Sequence, residues 1–154
     1  MSETLSRFTR LSEAWTSVFR IVVGSYWLYY ASQKWQGVGW MQSLIKESAR
    51  VSPIPGLHEF LVQVVAPNWL PFAIAQGAGE TVVGALLILG LATRWVGVLG
   101  LLLALNLALT VAFAAEPGFR FLYYLAVLVN AQVIVSGAGP YALSRFGWVP
   151  AFLR

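Results

Sequence analysis

Two stretches of this chain, residues 95–115 and 121–144, contain no charged side chain, and a third, residues 70–92, contains only Glu80. Each is near the roughly 20 apolar residues that a helix needs to cross a bilayer at about 1.5 Å rise per residue. A fourth stretch, residues 14–35, is apolar apart from Arg20 and the terminal Lys34. The composition excludes a soluble alternative: 58% of residues are hydrophobic, 10% are charged and Asp is absent, against about 25% charged in an average soluble protein. With 154 residues there is room for one domain. The sequence therefore predicts an all-α membrane protein, a four-transmembrane-helix bundle forming one unit over 1–154. Its spans lie at about 14–35, 70–92, 95–115 and 121–139, the last closing at the Gly137-Ala138-Gly139-Pro140 breaker.

Arg7, Arg10, Arg94, Arg145 and Arg154 fall on one side of this topology, and Lys34, Lys46, Arg50 and Arg120 on the other. That small bias places both termini in the cytoplasm and residues 36–69 outside, in a bacterial or archaeal cytoplasmic membrane. The long loop has its own pattern. Trp40, Met41, Leu44 and Ile45 share one helical face, and Leu57, Phe60, Leu61 and Val64 share another, separated by Ser52-Pro53-Ile54-Pro55-Gly56. Two short interfacial helices are expected over the mouth of the bundle. The bilayer is the first expected partner. Nucleic acid is not one, because the basic residues are scattered singly despite a net charge of +4.

Several kinds of chemistry are excluded. The chain has no Cys, hence no disulfide, thiolate metal site, iron–sulfur cluster or covalent c-type haem. His58 is the only histidine, so bis-His haem ligation within one chain is impossible. There is no Walker loop, dinucleotide glycine motif, nucleophile elbow or zinc-ligand pair. No metal, haem or flavin of its own is expected, and a redox role requires a diffusible cofactor or a partner's.

The charged residues inside the spans are then informative. Arg at a helix centre costs roughly 2.5–3.5 kcal/mol on insertion scales, so a buried charge must find a partner or a wet cavity. Glu80 falls about 15 Å below the outer boundary and Arg20 about 9 Å above the inner one, and an Arg20–Glu80 ion pair is expected. Arg20, Gly24, Trp27, Ala31 and Lys34 form one stripe on the first span, and Gln76, Gly77, Glu80, Gly84 and Leu87 the facing stripe on the second. Asn106 and Asn130 lie at mid-depth on the third and fourth spans, with Tyr123 on the face of Asn130, and all could join Arg20 and Glu80 in one polar cluster. Interhelical glue is the competing role for such a cluster. A carboxylate at that depth also exchanges protons, which suits Glu80 to a reducible ligand. Arg20-Ile-Val-Val-Gly24 is echoed by Glu80-Thr-Val-Val-Gly84, an inverted relation that chance in an apolar alphabet explains equally well.

Three segments carry a family resemblance: Arg20-Ile-Val-Val-Gly24 with Ala31-Ser-Gln-Lys34; Gly79-Glu80-Thr-Val-Val-Gly84-Ala-Leu-Leu-Ile-Leu-Gly90-Leu-Ala-Thr-Arg94; and Ser136-Gly-Ala-Gly139-Pro-Tyr-Ala-Leu-Ser144. Together they resemble the DoxX/DoxD family of small four-helix membrane proteins, and Pro53 to Asn68 resembles its DoxD-like branch. The resemblance implies a quinone-linked membrane subunit, with thiosulfate:quinone oxidoreductase, paired with a DoxA-like subunit, as the best-described activity. Many relatives carry a Ser-Leu-Asp ending after the Gly-Ala-Gly turn, whereas Arg145 follows Ser144 here and the chain has no Asp.

The expectation is thus a quinone-binding subunit of a membrane oxidoreductase, possible as a thiosulfate:quinone oxidoreductase subunit, that passes electrons from a small external donor to quinone. Glu80 and Arg20 are the expected catalytic residues, and Asn106, Asn130, Trp27 and Tyr123 the expected quinone contacts. Lys34 and His58 would meet the anionic donor, although an ordinary surface role for His58 also fits. A DoxA-like or other membrane partner, or a second copy of the chain, would complete the unit. The alternatives are a noncatalytic anchor or assembly subunit of a larger complex and a small transporter.

Overall fold

The computed structural model describes residues 2–146 and 149–150, and among these every regular element is helical. Helix α1 (Ser2–Trp35) starts well before residue 14, since no Gly or Pro interrupts the chain before Gly24. Helices α2 (Gly39–Val51) and α3 (Pro55–Phe60) occupy the long loop. The remaining helices are α4 (Trp69–Leu89), α5 (Thr93–Leu109), the single turn α6 (Val111–Ala114) and α7 (Pro117–Ser136). Helix α4 stops at Gly90, whose φ of 72° lets its N–H reach back to the Leu86 carbonyl at 2.8 Å. Helix α7 begins four residues before the apolar run because Pro117 occupies its first turn. Arg120 fits there because its guanidinium donates to the carbonyls of Phe113 and Ala115, each at 3.2 Å.

Helix α1 packs antiparallel on α4, α5 antiparallel on α7, and α4 against α5. Val23, Trp27, Val83, Leu87, Val96, Ala104, Ala126 and Val133 form the shared core. Helices Trp69–Leu89 and Pro117–Ser136, and the run Thr93–Ala114, are long and apolar enough to cross a membrane. Their outward residues are apolar as well: Leu102, Leu128 and Val135 are 58%, 67% and 75% exposed. The expectation of four such spans is met by three; α1 is as long, but Arg20, Lys34 and its hydroxyl-bearing residues dilute its hydropathy.

The α1–α4 crossing depends on two glycines, as the small-residue stripes predict. A Cβ on Gly24 would lie 2.9 Å from the Gly84 carbonyl oxygen, and one on Gly84 would lie 2.8 Å from the Gly24 oxygen. Each contact meets backbone, which cannot rotate away. Gly84→Ala should therefore destabilise the chain by about 1–3 kcal/mol. Gly118→Ala, where nothing lies within 4 Å, should be neutral or slightly stabilising. Denaturation in detergent checks both, and equal effects would remove the close approach as the cause.

The loop helices bury a face shifted from the expected one. Leu61 and Val65 are buried against Ala49, Ile45 and Leu57, whereas Phe60 and Val64 are 47% and 41% exposed. The backbone widens into a π turn over Leu61–Val65, with the Ala66 N–H donating to Leu61 O at 2.8 Å. This i→i+5 turn inserts one residue and carries the apolar stripe from Val64 to Val65.

Candidate functional site

A cavity of about 450 Å³ lies between α1, α2, the α5–α6 corner and the start of α7. Small-molecule sites typically occupy about 300–1,000 Å³. Helix α1 contributes Tyr26, Trp27, Tyr30 and Lys34; α4 contributes Glu80; α7 contributes Phe119, Leu122 and Tyr123. Trp40, Met41, Leu44 and Ile45 of α2, with Leu107, Val111, Ala115 and Glu116 around the α5–α6 corner, complete the lining. This is the apolar face read from the sequence, but it covers the cavity instead of lying only on the membrane surface. The Tyr26 ring stands edge-on to Trp27 at 5.6 Å and leans on Tyr30 at 4.8 Å, so one side of the cavity is continuous aromatic surface.

The ionic centre of this wall differs from the expected one. Glu80 is fully buried and pairs with Lys34, its Oε2 accepting from Lys34 Nζ at 2.7 Å. The other carboxylate oxygen accepts from Gln76 Nε2 at 2.9 Å, and Gln76 Oε1 accepts from Asn106 Nδ2 at 3.1 Å. Both oxygens are thus engaged, and the amide chain fixes the carboxylate plane. Gln76 was legible as part of the Glu80 stripe, four residues earlier and on the same face.

Arg20 does not reach Glu80. Its guanidinium donates to the Leu87 carbonyl, to Ile88 O at 2.8 Å, to Ala138 O at 3.0 Å and to Tyr141 O at 3.0 Å. The cause is register. With Gly24 set on Gly84, Arg20 falls level with Leu87, about two helical turns or roughly 10 Å along the axis from Glu80. A guanidinium among the last carbonyls of α4 is a favourable C-terminal partner, and here it also ties the Gly137–Ser144 segment to α1. Gly139 belongs to this tie, since a Cβ there would fall on Ser17.

The other expected site residues divide. Trp27, Tyr123 and Lys34 line the cavity with Glu80. Asn130 does not: it is fully buried behind Trp27, accepts from Trp27 Nε1 at 3.2 Å and donates to Ala126 O at 2.7 Å. Gly100 makes space for it, since a Cβ there would fall on the Asn130 amide oxygen. Asn106 reaches the site only through Gln76. The single polar cluster therefore separates into a Lys34–Glu80–Gln76–Asn106 chain, a Trp27–Asn130 pair and the Arg20 clamp. Lys34 is buried rather than displayed to an external anion. His58 sits on α3, outside the cavity lining, with Nδ1 buried and unpartnered. Arg50 pairs with Glu47 at 2.6 Å, and this exposed partner holds the Glu47 carboxyl below the usual carboxylate range.

Comparison with protein-family models matches the DoxX family over residues 15–116. No curated protein and no solved structure matches the chain.

Proposed function

The chain belongs to the DoxX family, an assignment that with its three long apolar helices makes it an integral membrane protein, and on that premise we propose that it is a quinone-binding membrane subunit of an oxidoreductase. The observation that carries this reading is the buried Lys34–Glu80 pair in the wall of an aromatic, largely apolar cavity, whose only other charged lining residue is Glu116 at the start of α7. A quinone needs flat apolar walls for its ring, a donor for a carbonyl oxygen and a group that handles protons. Tyr26, Trp27, Tyr30 and Tyr123 supply the first. Lys34 uses one of its three N–H groups on Glu80 and can offer another to a carbonyl. Glu80 supplies the proton-handling group.

A quinone bound there would contribute two-electron, two-proton redox chemistry. The residues of this chain would bind, orient and shield it. Gln76 and Asn106 hold the Glu80 carboxylate in one orientation, while Trp40, Met41, Leu44 and Ile45 line the cavity from the α2 side. Lys34 offsets the charge of the Glu80 carboxylate. The resemblance to the DoxD-like branch makes thiosulfate the first external donor to test and a DoxA-like chain the first partner.

The reading includes α1 as a fourth membrane span. Its charges do not face lipid: Arg20 and Lys34 are 1% and 6% exposed and are satisfied by α4. Its outer face presents Val18, Val22 and Tyr29. The charge bias supports both termini in the cytoplasm.

Solvent extraction of the full chain purified in mild detergent should release quinone in near-stoichiometric amount, with loss from Trp27→Ala. An extract without quinone, from a chain recovered in a stable stoichiometric complex, would instead identify a noncatalytic anchor.

A further inference from the structure

A second cavity, of about 520 Å³, opens at the opposite end of the bundle, among the start of α5, the last residue of α7 with residues 137–140 after it, and α1. Its chemistry is cationic. Arg94 and Arg145 both line it, and among the described residues neither side chain has an ion pair or hydrogen bond. The Arg94 guanidinium lies over Gly137, with Nε 3.6 Å from where a Cβ would stand.

The N-terminus of α5 enters the same space. Ala92, the residue before it, has a left-handed backbone and provides no side-chain cap. The first N–H with an intrahelical acceptor belongs to Val96, at 2.9 Å from Ala92 O. The N–H groups of Thr93, Arg94 and Trp95 precede it and have no acceptor within the helix. Thr93 adds an unpartnered hydroxyl. It lines the cavity, it is 4% exposed, and its buried hydroxyl has no hydrogen-bond partner. A buried hydroxyl without a partner costs free energy that a ligand acceptor can recover.

We propose that this cavity binds a phosphate-type oxyanion, held by Arg94, Arg145, the Thr93 hydroxyl and the first turn of α5. The electrostatics favour it although Glu13 also lines the cavity. Two guanidinium groups and a helix N-terminus equivalent to roughly half a charge, less one carboxylate, leave about +1.5. Trp95, Tyr141 and Trp15, at 75%, 71% and 66% exposed, surround this end as residues of a membrane–water interface do, which sets the cavity at headgroup depth. The oxyanion can come from a phospholipid headgroup or from free phosphate. The site is independent of the cavity beneath α2.

The test is calorimetric titration of the purified full chain in neutral detergent, with dihexanoyl phosphatidylglycerol in one arm and inorganic phosphate in the other. The intact chain should bind at least one probe. Arg94→Gln/Arg145→Gln should weaken that binding by at least about tenfold and Thr93→Val by several-fold, while Arg50→Gln leaves it unchanged. Binding of the lipid alone assigns a headgroup site, and comparable binding of phosphate assigns a soluble oxyanion site; either supports the proposal. No binding of either probe by the folded chain, or equal binding by all variants, overturns it. Thr93→Val, which removes no charge and keeps the side-chain shape, carries the test if the double variant does not fold.

Discussion

Lys34→Met should lower the stability of the protein by about 3–5 kcal/mol, because it leaves the Glu80 carboxylate buried without a counter-charge. Glu80→Gln should cost less, since its amide oxygen can still accept from Lys34, although its NH2 then faces the Gln76 Nε2 donor and that hydrogen bond is lost. The double variant Lys34→Met/Glu80→Gln should recover most of the loss, because two neutral groups in an apolar bundle carry no charge-burial penalty. Denaturation of the four proteins in detergent forms a double-mutant cycle with a coupling of several kcal/mol. Quinone reduction separates the chemical role from the structural one. The rescued double variant should be folded and inactive, and Glu80→Gln should be inactive although inserted in the membrane. Normal turnover in either protein would remove Glu80 from the mechanism, whereas a coupling near zero would remove the ion pair.

Arg20→Leu should also be severely destabilising, by at least about 3 kcal/mol, for a different reason. It strips a donor from the carbonyls of Leu87, Ile88, Ala138 and Tyr141 together, and each unsatisfied buried acceptor costs about 1–3 kcal/mol. Arg20→Lys should rescue only part of the loss, because three N–H donors on one nitrogen cannot reach all four carbonyls that the guanidinium meets with three separate nitrogens. Quinone bound per folded molecule should change little, since Arg20 does not line the cavity beneath α2. Wild-type stability in Arg20→Leu would disprove the clamp, and a stable, folded variant without quinone would restore Arg20 to the site.

Much of the candidate site was legible before folding because it depends on local pattern. The stripe through Trp27 and Lys34, the stripe through Gln76 and Glu80, and the Trp40–Met41–Leu44–Ile45 face all follow from helical periodicity, and the cavity brings those faces together. The partner of Glu80 was not legible. Depths counted from assumed span ends place Arg20 near it, but the Gly24–Gly84 contact fixes a register that gives Glu80 to Lys34. The second cavity was not legible either: Arg94, at the start of α5, is separated from Arg145 by the rest of α5, α6 and α7, and only their packing brings them to one cavity.

By itself, the sequence determined that this chain is helical and membrane-bound, which small-residue seams it carries, and that Arg20, Lys34 and Glu80 require burial with partners. Hydropathy, helical period and charge cost belong to each segment on its own, so they can be read along the chain. Tertiary structure alone decided which charge meets which, that Asn130 bonds to Trp27 instead of lining the cavity, and that the amphipathic α2 forms a wall of that cavity. Those outcomes depend on the axial register of packed helices, which is set by where backbones can approach at Gly24 and Gly84, and a shift of two turns there would exchange the partners of every buried charge.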